Sequence, residues 1–299
     1  MSPELAIFGN LAVDDIVYPD GRTRMGQAGG AVIYVALGAS LWGIEVGVVS
    51  RAGTSYPTPM LDALADRQID LDGLARIDGP GLRTWLLYEG ELRRVVHRLD
   101  VTSHLEASPG PGDLPSRWSP DYIHIAPLPL DVQADLVTAF CTSPGTRLSL
   151  DPYELISNQR LETWREIAAR LECLFCSEDE LADARWRRDP DSLVTRLENS
   201  RLRWMFFKRG SSGGIGFDIE NRDRFAWHGQ AEAVVDSTGA GDAFAGGTLA
   251  GLIRGEKAAL AIRRGVVSAS FALQARGAEG LLAASPDAAE LRLDSWFPG

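Results

Sequence analysis

Hydrophobic positions along the chain form short apolar runs that alternate with longer segments of helical spacing. Short runs bounded by polar residues or glycine are typical of buried strands, and apolar residues three and four apart predict helices. The predicted strands cover residues 5–9, 45–50, 122–126, 147–150, 172–176, 203–207 and 231–235. The predicted helices cover residues 29–42, 57–67, 130–140, 162–171, 193–199, 240–253 and 257–274.

Strands that alternate with helices predict βαβ units and an α/β fold. We expect a mostly parallel sheet with helices on both faces. At 299 residues the chain is long enough for one large core. We therefore predict a single domain over residues 1–299, with a long surface loop over residues 104–120, where Pro, Gly and Ser are frequent.

Two regions interrupt the alternation and predict a small β lid over about residues 12–27 and 82–100. In the second region, Glu89-Gly90-Glu91 separates two strand-like runs, which is typical of a hairpin. Antiparallel strands outside the main sheet can cover a site and keep water away from a reactive group.

Composition narrows the choice of partners. Hydrophobic residues make up 45% and charged residues 24% of the chain, and the formal net charge is −11. An acidic protein is a poor partner for a phosphate backbone, so we expect no nucleic acid. No apolar stretch reaches the length of a membrane span and no basic leader precedes an apolar core. We expect a cytoplasmic protein without a membrane partner.

The cysteines are few and odd in number, which fits a reducing compartment. Cys173 and Cys176 form a CxxC pair, but zinc would need two further ligands at suitable spacing. Both lie in an apolar run, so we interpret them as buried residues of a strand.

The most informative motif is Asp236-Ser237-Thr238-Gly239-Ala240-Gly241-Asp242, at the start of a predicted helix. Unpaired amides and the helix dipole attract an anion there, and glycines let a phosphate approach closely. A carboxylate beside such an anion site suits phosphoryl transfer, because it can accept the proton of an attacking hydroxyl. The alternative is a tight turn in which Asp242 only pairs with the helix dipole.

Two familiar glycine motifs do not match. The chain contains no Gly-x-x-x-x-Gly-Lys-Ser/Thr string, which a P-loop requires. A dinucleotide fingerprint needs glycine at its sixth position, where this run has Phe244. The motif therefore indicates another kind of phosphate site.

Taken together, these segments resemble the ribokinase-like (PfkB-type) family of small-molecule kinases over nearly the whole chain. The run Thr238–Asp242 with Gly246-Gly247 is similar to its C-terminal signature, and Gly29-Gly30 before a helix is similar to its N-terminal one. Gly9 with Asp14, and the segment 208–213, also fit the family pattern. The resemblance implies a three-layer fold with a central sheet, flanking helices and a β lid.

The resemblance also implies residue roles. Asp242 would be the general base, and the amides of Gly239, Ala240 and Gly241 would form the anion hole. The remaining implied contacts are Asp14, Gly29, Gly30 and Tyr34 for the substrate, Lys208, Gly210, Gly213 and Thr238 for the nucleotide, and Glu180 for the metal. ATP and Mg²⁺ are the implied cofactors, with K⁺ or a similar monovalent cation as a further expectation.

Several positions depart from the family pattern or allow a second interpretation. Tyr34 and Ser177 stand where the family usually has asparagines, and Lys208 where threonine is common. Lys208 would either contact a nucleotide phosphate or lie on the surface. Asp14 alone could cap a turn, and Gly29-Gly30 could be a simple turn before a helix.

His97 and His124 lie in apolar strands and are interpreted as packed residues rather than catalytic ones. The predicted function is ATP-dependent phosphorylation of a hydroxyl on a small sugar or polyol. Adenosine-like nucleosides are the alternative acceptor, inositol-type polyols remain open because of Tyr34, and a regulator without turnover is the alternative class. A homodimer through the lid is expected from the resemblance.

Overall fold

The computed structural model describes residues 2–89, 92–143, 145–198 and 201–298. Its strands, numbered along the chain, are β1 Leu5–Phe8, β2 Ala12–Val17, β3 Thr23–Gly29, β4 Val46–Ala52, β5 Asp70–Arg76, β6 Leu82–Glu89, β7 Leu92–His97, β8 Tyr122–Ile125, β9 Arg147–Leu150, β10 Cys173–Ser177, β11 Trp204–Lys208, β12 Gly214–Asp218 and β13 Asp223–Trp227. The helices are α1 Ala31–Ser40, α2 Thr58–Asp66, α3 His104–Ala107, α4 Leu130–Phe140, α5 Leu161–Ala168, α6 Ala184–Arg188, α7 Asp191–Leu197, α8 Ala240–Ile253, α9 Ala258–Leu273, α10 Glu279–Ala283 and α11 Pro286–Trp296.

The large sheet has nine strands in the order β13-β12-β11-β10-β9-β8-β1-β4-β5. The strands from β5 to β11 along this order pair in parallel, and β12 and β13 add an antiparallel edge. Parallel neighbours need crossover connections, which the intervening helices supply. Their carboxyl ends lie along one edge of the sheet, which is where ligands bind in open α/β sheets.

The sheet separates two hydrophobic cores, as a three-layer fold requires. Successive residues of a strand point to opposite faces. In β10, Cys173 and Phe175 accordingly belong to one core, while Leu174 and Cys176 belong to the other. The cysteines of the CxxC pair thus point away from each other as buried free thiols, which confirms their interpretation as strand residues.

Helices α1 and α8 pack unusually closely on one face because small residues meet between them. A methyl group built on Gly246 would overlap the backbone of Val35, and one built on Gly38 would lie 2.6 Å from the Ala243 carbonyl oxygen. The apolar helix surface predicted after the glycine motif is therefore buried against α1. This contact fixes the start of α8 next to the start of α1.

The predicted lid is a separate four-stranded sheet in the order β3-β2-β6-β7. Asp14 and Asp15, adjacent in β2, point to opposite faces of it. Asp15 is fully buried and accepts hydrogen bonds from Arg83 at 2.6 and 2.7 Å. These bonds, acting against burial, hold the pKa of Asp15 below its ordinary value. The predicted turn at Gly90-Glu91 lies outside the described residues.

Some sequence predictions were wrong or incomplete. Residues 231–235, predicted as a strand, form no regular structure, because Val234 and Val235 are exposed in a loop. The predicted loop 104–120 contains the short helix α3, which Ser103 caps by accepting from the Glu106 amide at 3.3 Å. Strands β5, β12 and β13 were not predicted. Residue 199 of the predicted helix 193–199 lies outside the described residues.

Within the described ranges, no helix combines the length and the apolar character that crossing a bilayer requires.

Candidate active site

The glycine motif forms the turn into α8, with the open amides that its sequence suggests. Gly239 has a φ of 73°, in the left-handed region that glycine adopts without strain, and α8 begins at Ala240. The Ala243 amide donates to the Gly239 carbonyl at 2.8 Å as the first helical bond. The Ala240 amide makes only a long contact with the Ser237 carbonyl at 3.4 Å, as expected where the amides of a helix start lack helical partners.

Asp242 lies in the first turn of α8 and is partly buried. Burial is the largest cause of the raised pKa of both Glu180 and Tyr34, and the negative charge of Asp242 contributes to both. The charge of Asp242 thus acts on a residue that follows β10 and on a residue of α1.

Lys208, the last residue of β11, is buried below the start of α8. Its side chain is 11% exposed, and its ammonium donates to Asp151 Oδ2 at 2.6 Å. Burial lowers the pKa of Lys208, but Asp151, Glu180 and Asp242 outweigh burial and raise the pKa above its ordinary value. The lysine is thus charged, and the alternative of a surface position is wrong.

The Lys208 ammonium also lies close to the anion hole. A methyl group built on Gly241 would lie 3.4 Å from Lys208 Nζ. A glycine at this position therefore leaves a gap beside a fixed positive charge. That gap can hold an anion that contacts both the helix amides and the lysine.

Glu180 closes a single helical turn after β10. Its Oε2 accepts from the Ser177 amide at 2.6 Å, so Ser177 holds the glutamate through its backbone. Burial, followed by the charge of Asp151, raises the pKa of Glu180 to about 8. Among the described residues no group of three His, Cys, Asp or Glu side chains forms a metal cage.

A cavity of about 740 Å³ opens on the other side of Gly241, at the carboxyl edge of the sheet. Its lining includes Ser177, Arg209, Gly210, Gly213, Trp227, Ala240, Gly241 and Phe244. Trp227 stacks on Phe244 with 5.1 Å between ring centroids, which gives the cavity an apolar wall. A cavity of this size with mixed apolar and backbone surfaces suits a nucleotide.

Asp14 of the lid lies against Gly29, just before the start of α1. Asp14 Oδ1 accepts from the Thr84 hydroxyl at 2.5 Å, which connects β2 to β6. A methyl group on Gly29 would overlap the Asp14 carboxylate, and Gly30 has a φ of 108°. Both glycines are thus required by close approach or by backbone geometry, beyond marking a turn.

Tyr34 lies between the acceptor side and the anion hole. It is 2% exposed, and a methyl group on Gly239 would overlap its ring. Burial, followed by the charges of Asp14, Asp236 and Asp242, raises its pKa well above the ordinary value. The neutral Tyr34 ring therefore packs against Gly239 and supports the backbone of the proposed anion hole.

The histidines have surroundings of two kinds. His124 is fully buried in β8 with its Nδ1 3.0 Å from Ser149 Oγ, and burial lowers its pKa to about 3. It is a packed residue, as the sequence predicts. His97, at the end of β7, lies 2.5 Å from the Tyr153 hydroxyl and packs against the ring of His104.

The family profile of the pfkB family carbohydrate kinases matches residues 5–284. The chain belongs to this family. It is therefore a phosphotransferase that uses an alcohol group as acceptor and binds ATP. The expectation drawn from the resemblance is confirmed for family, fold and enzyme class.

Similar pfkB-family proteins and solved structures differ in their acceptors. A cytidine kinase of Thermococcus kodakarensis is 29% identical over 280 residues, which cover 92% of this chain and 97% of that protein. A fructokinase of Klebsiella pneumoniae is 28% identical, over 84% of this chain and 85% of that protein. The structure of Burkholderia thailandensis nucleoside kinase in complex with inosine has a TM-score of 0.79 at 17% identity and covers 99% of both chains, which shows the shared fold.

No pattern in the sequence pointed to Thr84, which donates to Asp14, or to Tyr88, which contacts the loop before α8. Asp151-Pro152 also fits the family pattern, but the pairing of Asp151 with Lys208 was not predicted. Asp151 follows a predicted strand, which is a recognisable position for a functional residue. Thr84 and Tyr88 lie in an alternating lid strand that carries no comparable signal.

Proposed function

We propose that the protein transfers the γ-phosphoryl group of ATP to a hydroxyl of a sugar moiety, with Asp242 as general base. The observation that carries this proposal is the position of Asp242. Asp242 is in the first turn of α8, directly after Gly241, which lines the nucleotide-sized cavity, and its charge acts on Tyr34 together with that of Asp14. Asp14, Gly29 and Gly30 would hold the acceptor there.

In the proposed reaction, the acceptor oxygen forms a bond to the γ-phosphorus while the bond from that phosphorus to the bridging oxygen of ADP breaks. The hydroxyl proton passes to the Asp242 carboxylate, which contributes about 10²–10⁴ in rate. The amides of Gly239, Ala240 and Gly241 stabilise the charge on the transferring group, each donor contributing about 10²–10³. ADP and the phosphorylated acceptor then leave.

Lys208 would contact the nucleotide phosphates from the cavity side. Support comes from its fixed charge and from the 3.4 Å between Nζ and a methyl group built on Gly241. Gly210 and Gly213, with φ values of 53° and 83°, form a tight turn in the cavity wall and would lie beside the nucleotide. Thr238 would contact the nucleotide from the loop before α8, where its amide donates to Asp236 at 2.9 Å.

The carboxyl groups that act on Lys208, a residue of the cavity lining, fit Mg²⁺ bound through water. Magnesium usually keeps several waters and takes one or two carboxylates together with substrate phosphates. Asp151 and Glu180, which both act electrostatically on Lys208, would supply such carboxylates, and Asp151 Oδ1 is buried without a partner among the described atoms. A bound cation would favour the charged form of Glu180, whose pKa burial raises to about 8. When bound, Mg²⁺ offsets the charge of the nucleotide phosphates.

The acceptor is proposed as a sugar or polyol, with a nucleoside as second candidate. The similarity to a cytidine kinase over 92% of the chain favours the nucleoside. The similarity to fructokinases supports the free sugar. Where the family usually has an asparagine amide, Tyr34 places a buried ring that packs against Gly239, so the acceptor would lack that amide contact.

A homodimer through the lid and a dependence on K⁺ are inferred from the family resemblance alone. Light scattering tests the first. Comparison of rates in KCl and NaCl at equal ionic strength tests the second.

ADP release against a panel of ribose, fructose, inositol, cytidine and adenosine tests the proposed function. We expect acceptor-dependent ADP release with at least one member, and a product whose mass is increased by one phosphate. Cytidine as the preferred acceptor would establish the nucleoside candidate, and a free sugar would exclude it. ATP binding without turnover on the whole panel would contradict the kinase proposal and favour a regulator.

A further inference from the structure

A tyrosine of the lid reaches the loop that forms the anion hole. Tyr88 lies near the end of β6, and its hydroxyl donates to Asp236 Oδ1 at 3.2 Å. The same hydroxyl lies 3.1 Å from Thr238 Oγ1. Both partners precede Gly239 by no more than three residues, so the lid contacts the chain directly before the anion hole.

Asp236 is the centre of this contact. Its Oδ1 also accepts from the Thr238 amide at 2.9 Å, and its Oδ2 accepts from the Gly277 amide at 3.1 Å. Burial would raise the pKa of Asp236, but these hydrogen bonds and those from the Thr238 and Tyr88 side chains lower it overall. A charged carboxylate therefore holds together the lid, the anion-hole loop and the segment after α9.

The strand that carries Tyr88 also carries an acceptor-side residue. Thr84 and Tyr88 are four positions apart in β6, and such residues point to the same face of a strand. Thr84 donates to Asp14 at 2.5 Å. One short strand thus connects the proposed acceptor carboxylate to the loop of the anion hole.

The lid makes further contacts through stacked rings and a partly exposed ion pair, and these reach residues 276–279. Tyr18 stacks on Tyr88 at 5.8 Å between centroids, and the Arg276 guanidinium lies 5.0 Å from the Tyr18 ring centroid. Arg24 and Glu279 form a 3.4 Å ion pair with both side chains partly exposed. Exposed pairs contribute little stability, and these contacts reach residues 276–279 instead of the anion hole.

We propose that Tyr88 is a positioning residue that couples lid closure over the acceptor to the geometry of the anion hole. This inference rests on the proposed function. The lid closes when Asp14 and Thr84 engage an acceptor, and Tyr88 then fixes Asp236 and Thr238. The Gly239–Gly241 amides are thereby oriented on the phosphoryl group when the lid takes the closed position in which Tyr88 contacts Asp236 and Thr238.

Such coupling has a chemical consequence. A phosphoryl group held in a complete anion hole without an acceptor can be lost to water. If the hole depends on lid closure, ATP is protected from hydrolysis until the acceptor has bound. Loss of the Tyr88 hydroxyl should therefore reduce transfer to the acceptor more than it reduces ATP binding.

The test is Tyr88→Phe, which keeps the ring and its stacking on Tyr18 but removes the hydroxyl. We expect kcat to fall about tenfold, as for the loss of about 1.4 kcal/mol of positioning, with the KM for ATP unchanged within about twofold. ADP formed per phosphorylated acceptor should rise. Tyr18→Phe, on the same lid, is the matched control and should leave both quantities unchanged.

Hydrogen exchange gives a readout that does not depend on turnover. In the wild type, Mg-ADP with aluminium fluoride and cytidine should slow amide exchange across residues 236–241. Tyr88→Phe should lose most of that protection while keeping the wild-type melting temperature within about 2 °C, since one net hydrogen bond contributes about 1 kcal/mol.

Equal protection and equal kcat in the wild type and in Tyr88→Phe would overturn the coupling. A lower melting temperature with unchanged kcat would also overturn it, because the hydroxyl would then serve stability alone. These outcomes differ from failure of the proposed function, in which the wild type itself would phosphorylate none of the panel.

Discussion

The phosphate end and the acceptor end of the cleft are built from different parts of the chain. At the proposed phosphate end, α8 and the buried Lys208 are held by packed helices and a central strand, and Tyr88 contacts the loop that precedes α8. At the acceptor end, Asp14 and Thr84 lie on a small separate sheet. The first is part of the core, and the second can move as a lid.

This difference explains why the two ends would determine different properties of the enzyme. A site made from backbone groups needs glycines at fixed positions, and it binds a group common to every kinase reaction, the phosphate. A site made from side chains on a lid can change its residues without disturbing the core. Under the proposed function, the phosphate end would define the reaction and the acceptor end would define the substrate.

Apart from removal of the proposed base, the largest expected effect comes from Gly239→Ala at the proposed phosphate end. The new methyl group would overlap the Tyr34 ring, in addition to the strain of a φ of 73°. We expect kcat to fall at least about 100-fold, as for the loss of an anion-hole donor.

Gly255→Ala is the matched control for this change. Gly255 has the same φ of 73°, but a methyl group there meets no atom within 4 Å. It should lose only about 1 kcal/mol of unfolding free energy, from backbone strain, and keep its kcat. Equal loss of activity in both variants would show that backbone strain, instead of contact with the anion hole, controls the rate.

The next effect concerns Lys208→Met. Removing one member of a buried pair leaves the Asp151 carboxylate unpaired, which costs about 3–5 kcal/mol of unfolding free energy. Lys208→Met with Asp151→Asn should recover most of the stability in urea unfolding, because the unpaired charge is gone. Activity should stay low in the double variant if Lys208 contacts phosphate. Recovery of activity together with stability would show that Lys208 has only a structural role.

The smallest expected effect is a change of the free energy of unfolding with pH, which is caused by the buried His124 of β8. The pKa of His124 is lowered to about 3 by burial and then by the charge of Lys208. In the unfolded chain, His124 has a pKa near 6.5 and binds a proton that it does not bind in the folded chain. The free energy of unfolding therefore falls as pH decreases from about 6.5 towards 3. Between pH 7 and pH 5 this one group should cost about 2 kcal/mol.

His124→Asn should flatten that part of the pH profile of urea unfolding relative to the wild type. His228→Gln, at an exposed histidine, is the control and should leave the profile unchanged. An unaltered slope in His124→Asn would mean that the histidine takes up a proton inside the folded protein.

The sequence could predict the phosphate end because its requirements are local. Gly239, Gly241 and Asp242 follow each other in one motif, and apolar runs mark the parallel strands that surround it. The sequence showed that Lys208 stands where threonine is common in the family. It could not show that Lys208 is buried, because its partner Asp151 is 57 residues away along the chain. Tertiary pairing of this kind leaves no local pattern.

The acceptor end was harder to predict for the same reason. Thr84 and Tyr88 serve the site through contacts 70 and 148 residues away along the chain, with Asp14 and Asp236. Strand β12 was missed because three of its five residues are the glycines and aspartate of Gly-Ile-Gly-Phe-Asp, which strands usually disfavour. Residues 231–235 were wrongly predicted as a strand because apolar residues there face solvent.

Single-turnover phosphoryl transfer by Asp242→Asn, with ATP affinity measured by calorimetry, tests the central claim most directly. Asparagine keeps the shape of the side chain and removes the base. We predict a fall of about 10³ in the rate of transfer, within the range for general-base catalysis, with ATP affinity unchanged within about threefold. Transfer at close to the wild-type rate would show that Asp242 does not accept the proton, and the proposed mechanism would be contradicted.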